Sequence, residues 1–155
     1  MKSQLKIVPI DKALTTISLW KKNNYKIVFT NGCFDILHLG HVEYLEKSKA
    51  LGDKLVVGLN SDTSVQINKG PLRPINNQDA RAKVLAALAS IDLLIVFDQP
   101  TPLNLIKTIQ PDILVKGSDY NVKSIGSHVK TVKLTEGYST SQTIEKILLN
   151  SNKSK

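Results

Sequence analysis

Residues 30–41 read TNGCFDILHLGH, from Thr30 to His41. KIVF (26–29), a short β-rich apolar run, precedes them. HVEYLEKSKAL (41–51) follows, with Val42, Leu45 and Leu51 spaced as on one helix face and Gly52 as a stop signal. The histidine pair therefore falls where a strand gives way to a helix. Gly32 allows a tight turn and a close backbone approach to a ligand. The helix start offers free N–H groups and a positive dipole end, which together make an anion site. His38 is expected just before the helix and His41 in its first turn. Gly40 removes a side chain between them, so both imidazoles can donate to one phosphate. A zinc pair is the other reading, but it needs further ligands, and Cys33 and His128 are poorly placed to supply them.

Outward from this junction the chain alternates. KLVVGLN (54–60), LLIVF (93–97), DILVKG (112–117) and VKTVKL (129–134) read as strands. NNQDARAKVLAALAS (76–90), TPLNLIKTIQ (101–110) and STSQTIEKILLN (139–150) read as helices. The second opens on Thr101 as cap and Pro102 as first helical residue, the third on Ser139 or Thr140 as cap. Strands separated by helices imply βαβ units: a Rossmann-like three-layer α/β/α fold with a mostly parallel sheet. Ligands in such folds sit beyond the carboxyl ends of the strands, at a switch point of the topology. One domain is expected over 1–150, with 1–23 as an N-terminal helical extension carrying Trp20 against the core, and 151–155 as a disordered tail.

Composition excludes several classes. With 155 residues, 41% hydrophobic and 22% charged, the chain is an ordinary globular one, without a membrane-length apolar run or a signal-peptide pattern. Cys33 is the sole cysteine, which points to a reducing cytoplasm. The net charge is +8, yet the lysines are scattered and no arginine-rich or aromatic-basic run occurs, so a small anionic substrate fits better than nucleic acid. The P-loop, the G-x-G-x-x-G fingerprint and the G-x-S-x-G elbow are all missing, so the polar groups favour anion binding over covalent intermediates.

TNGCFDILHLGH resembles the signature of the cytidylyltransferase-like nucleotidyltransferase superfamily. VGLNSDTSV (57–65), KGPLRPIN (69–76) with Asp79 and Arg81, VKGSDY (115–120) and EGYSTS (136–141) extend the likeness in order. KGPLRPIN with VKGSDY narrows it to the heptose 1-phosphate adenylyltransferase branch. Two departures stand out: Ser118 where that branch has glycine, and a short loop, NVKSIGSHVKTV (121–132). Ala89-Ser90-Ile91-Asp92 replaces an element common in CTP-using relatives, which favours ATP.

The resemblance implies AMP transfer from ATP to a sugar 1-phosphate, with Mg²⁺ bridging phosphates and keeping its waters. It implies catalytic roles for His38, His41 and Lys69. KGPLRPINN is read as a loop, with 66–75 mobile until ATP binds. Thr30, Asn31, Gly32, Cys33, Phe34, Gly40, Lys116, Ser139, Thr140 and Ser141 would bind ATP. Asp35, Asn60, Asp62, Arg73, Arg81 and Asp119 would serve the sugar-phosphate side. Asp35 is read more as an Asx-type anchor of its own loop, and Arg81 equally as an ion-pair partner of Asp79 or Asp92. Cys33 is read as a packing residue too. The partners implied are ATP, a sugar 1-phosphate, a separate upstream sugar kinase and, from relatives, a second copy of the chain. Two alternatives stay open: a CTP-dependent enzyme acting on glycerol phosphate or a similar alcohol phosphate, and a non-catalytic nucleotide-binding module.

Overall fold

A computed structural model describes residues 2–117 and 129–153. Among them, β1 (Ile27–Gly32), β2 (Lys54–Asn60), β3 (Leu93–Phe97), β4 (Ile113–Gly117) and β5 (Val129–Val132) form a sheet in the order β3-β2-β1-β4-β5. Every pairing is parallel. The chain winds outward from β1 to β3, then returns to place β4 on the other side of β1. The topology thus reverses between β1 and β4, so the crevice at their carboxyl ends is the predicted ligand position.

Period-two alternation splits the strand side chains between two cores. Val28, Leu55, Val57, Leu59, Leu94 and Val115 face one way and meet Tyr44 and Leu45 of α2 (Leu39–Lys49) and Ala82 and Leu85 of α4 (Gln78–Ala86). Ile27, Phe29, Val56, Leu93, Ile95 and Leu114 face the other way, against Ala13 and Ile17 of α1 (Ile10–Lys22) and Leu105 and Ile109 of α5 (Leu103–Ile109). These are the three layers. Trp20 packs against the second core. Ala13 is fully buried there as well, so α1 contributes to the core.

Several local expectations change. Residues 66–69, expected as the start of a mobile loop, belong to α3 (Asp62–Lys69), whose cap Ser61 accepts from the Ser64 N–H at 3.2 Å. Gly70 (φ 93°) stops that helix in the left-handed region, where glycine carries no steric cost. Pro102, not Thr101, occupies the cap position of α5. α2 buries Gly40, Tyr44, Leu45 and Ser48, a face rotated from the expected Val42–Leu45–Leu51 stripe. α6 (Thr140–Lys153) continues through residues 151–153, which were expected to lie outside the fold. No described helix is long and apolar enough to cross a membrane.

Candidate active site

The junction after β1 places the histidine pair as the sequence implies. His38 is the extended cap residue of α2 and His41 lies in its first turn. Their rings stack with centroids 3.7 Å apart and planes 21° from parallel. Phe34 meets His41 edge-on at 5.2 Å. Gly40 is what allows this arrangement, since a Cβ there would sit 3.1 Å from the His38 ring and 3.3 Å from the Tyr138 Cβ. Gly32 acts differently from expectation. It needs no left-handed backbone, but a Cβ on it would lie 2.9 Å from the Phe34 ring. The left-handed turn falls on Phe34 itself, at φ 44°. A bulky residue held there is strained, and such strain clusters at functional sites.

Burial lowers the His38 pKa; burial, and then the neighbouring His38, pull His41 down to about 4. Both rings are therefore neutral at pH 7. Among the described residues each Nδ1 is buried and has no hydrogen-bond partner. Unsatisfied buried polar atoms are rare and costly, so two side by side mark a place where a ligand completes the bonding.

A cleft of about 700 Å³ opens over the pair, in the size range of small-molecule sites. Asn31, Gly32, Cys33, Phe34 and Gly40 line its floor. Lys116, at the end of β4, lines it too and donates to Asn31 Oδ1. Burial pulls its ammonium down to about 8, so it remains largely a buried cation at neutral pH. Ser139, Thr140 and Ser141 face the histidines from the N-terminus of α6. Ser139 Oγ accepts from the Gln142 N–H at 3.1 Å, so it caps the helix while its own hydroxyl proton stays available. Lys69 and Asn60 complete the predicted lining. Burial pushes the Cys33 thiol up, away from nucleophilic thiolate and in line with a packing role.

Other expected ligands are spent on structure. Thr30 is fully buried, 2.7 Å from the Tyr44 hydroxyl, and donates to the Val115 carbonyl at 3.1 Å; it ties β1 to α2 and β4 and does not line the cleft. Asp35 does anchor a loop, but a distant one. Its carboxylate accepts from Arg73 Nε at 2.7 Å and from the backbone N–H groups of Ile75 and Asn76. Burial would raise its pKa; those backbone donors and Arg73 outweigh it and hold the carboxyl below the usual range. Arg73 reaches the cleft wall as half of this pair. The expected mobile loop 66–75 is thus closed at both ends, by the last turn of α3 and by Asp35.

Arg81, expected at the substrate, is 2% exposed and lies outside the main cleft. It donates to the carbonyls of Asn76, Cys33 and Asn60 and pairs with Asp62 at 2.8 Å, not with Asp79 or Asp92. Asp62 is likewise a clasp residue. Asp119, Ser118 and residues 121–128 of the short loop, His128 among them, fall outside the described residues; its last four residues form β5. No described group of three or more His, Cys, Asp or Glu residues gathers for a metal.

The sequence reading missed Tyr44, Asn68, Thr101, Thr135 and Tyr138 on the cleft wall. Thr101 could have been found from its place just beyond the β3 end. Tyr138 sits inside the quoted EGYSTS run.

A parallel sheet with paired histidines at its switch point, facing a serine-capped helix end across a cationic cleft, is a nucleotide-binding α/β architecture. Residues 29–148 match the cytidylyltransferase-like family model, and the chain belongs to that family. It is 53% identical over 150 residues to the bifunctional protein HldE of Wolinella succinogenes, covering 94% of this chain and 32% of that one. The bifunctional protein HldE of Helicobacter pylori strain J99 is 54% identical over 147 residues, covering 92% and 31%. The chain thus spans about a third of the length of these curated relatives. A crystal structure of the lipopolysaccharide core biosynthesis protein from Thermoplasma volcanium aligns with TM-score 0.60 at 32% identity, over 74% of this chain and 99% of that one.

Proposed function

We propose that the chain is an adenylyltransferase that moves AMP from ATP to D-glycero-β-D-manno-heptose 1-phosphate, giving ADP-heptose and pyrophosphate for lipopolysaccharide or surface-glycan synthesis. The observation that carries this is the stacked pair with two unpartnered Nδ1 atoms facing the α6 N-terminus across the cleft. The match to HldE proteins and to a lipopolysaccharide core biosynthesis protein supports the sugar branch.

A phosphate oxygen of the acceptor attacks the α-phosphorus of ATP, the bond to the β-phosphate bridge oxygen breaks in line, and pyrophosphate leaves with its charge. Such transfers need positioning and charge stabilisation more than covalent help. The neutral imidazoles donate N–H bonds to the triphosphate at the reacting phosphorus. Lys116 and Lys69 supply positive charge, and the first turn of α6 receives the outer phosphates. Mg²⁺ would arrive with ATP. Asp35 is the described carboxylate on the cleft wall and its oxygens are taken by Arg73 and two backbone donors, so the described lining offers the ion no free carboxylate. The acceptor's own phosphate must come from a kinase reaction.

Lys69→Ala is expected to cost about 2 kcal/mol or more in kcat/KM with little change in melting temperature, because an exposed helix-end lysine loses a charge-assisted phosphate contact and no packing. A kinetically silent variant makes Lys69 a solvated charge. ATP is expected to be preferred over CTP by at least about tenfold in kcat/KM, roughly 1.4 kcal/mol. Competition between the two nucleotides reads this directly, and equal use favours the CTP-dependent alternative.

A further inference from the structure

Ser139, Thr140 and Ser141 must be held opposite the histidines, yet the segment that delivers them is weakly tied. Residues 133–139 join β5 to α6 without regular structure. The Lys133–Glu136 pair within this segment is 82% and 88% exposed at 3.5 Å and adds little. Two contacts set the segment's place on α2. Thr135 Oγ1 donates to Glu43 Oε2 at 2.5 Å, and Tyr138 rides over Gly40, close enough that a Cβ there would meet it. Apart from bonds within the first turn of α6, no other side-chain hydrogen bond among the described residues joins 133–141 to the rest of the protein. An O–H donor on a carboxylate is one of the stronger hydrogen bonds, and this length is typical of it. Glu43 stands two residues past His41 on the same helix, outside the cleft wall, and Lys47 Nζ meets the same Oε2 at 3.4 Å.

We propose that Glu43 is a positioning residue. Through Thr135 it fixes the β5–α6 segment on the histidine-bearing helix, and so sets the distance between the His38–His41 pair and the helix end that receives the outer phosphates of the nucleotide. This rests on the proposed role of the α6 N-terminus in phosphate binding. Those contacts exist in the ground state and in the transition state alike, so loosening them raises KM for ATP more than it lowers kcat.

The test compares steady-state kinetics and melting temperature in Glu43→Ala, Glu43→Gln, Thr135→Val, Thr135→Ser, the Glu43→Ala/Thr135→Val double variant and Ser139→Ala. Glu43→Ala is expected to raise KM for ATP about fivefold or more with kcat nearly unchanged, the pattern of lost uniform binding. Glu43→Gln and Thr135→Ser, which keep an acceptor and a hydroxyl, recover most of this. The double variant is no worse than Thr135→Val alone, the non-additivity of two groups in one bond. Ser139→Ala reports on the phosphate role independently. If Ser139→Ala raises KM while Glu43→Ala does not, the positioning role fails and the phosphate role stands. If both are silent, the phosphate role fails and takes the proposal with it. A fall in melting temperature in Glu43→Ala at wild-type KM makes the bond merely structural and overturns the proposal.

Discussion

His41→Ala is expected to lower kcat by about 10²-fold or more, and His38→Ala by a similar factor, as for lost transition-state donors. The rings stack at 3.7 Å with both Nδ1 atoms unpartnered, so each removal takes away a donor that nothing described replaces. The fold should persist, because the rings border the cleft and sit in neither apolar core. The pair also has a pH signature. His41 has its folded pKa pulled down to about 4, so the unfolded chain binds the extra proton first. Its contribution to stability is complete above the ordinary histidine value of about 6.5 and is lost as pH falls through about 4. Thermal unfolding between those limits should be less pH-dependent in His41→Ala than in the parent protein. A folded double variant turning over at the parent rate contradicts the role of the pair.

Arg81→Ala should act on stability first. Arg81 is almost wholly buried, and its removal leaves the Cys33 and Asn60 carbonyls and the Asp62 carboxylate without their donor. Asp62 is 34% exposed and can turn to water, but each buried carbonyl left without its donor costs about 1–3 kcal/mol. For a chain of this length that is a fall in melting temperature on the order of 10 °C. Calorimetry or thermal circular dichroism reads it directly. An unchanged melting temperature with a raised acceptor KM would return Arg81 to the substrate side.

The contrast between these residues shows what was legible. The histidine pair could be read because its parts lie within four residues and one junction fixes their geometry. The parallel sheet could be read because its strands are apolar β-rich runs spaced by helices. α3 could not: it buries only Ser64 and Val65, exposes Ile67, and runs into Gly70 and Pro71, so its periodicity is slight and Ser61 is its main signal. The partners of Arg81 were hidden for another reason. Its nearest carboxylates in sequence were plausible, but Asp79 is exposed and Asp92 is engaged by Lys49, Lys54 and the Leu55 N–H. The groups Arg81 does meet come from the residue after β1, the end of β2, the start of α3 and the approach to α4, and most of them are brought to it only by the fold. Asp35 repeats the lesson, with donors that come from residues 73–76 rather than from its own turn.

The most direct test of the central claim is pyrophosphate release by the purified chain with ATP and Mg²⁺ across a panel of sugar and alcohol phosphates, with CTP in parallel. The account predicts rapid release with ATP and D-glycero-β-D-manno-heptose 1-phosphate, one ADP-heptose formed per pyrophosphate, and a signal abolished in the His38→Ala/His41→Ala variant. Release that requires CTP, or that proceeds with glycerol phosphate and not with the heptose phosphate, would contradict it.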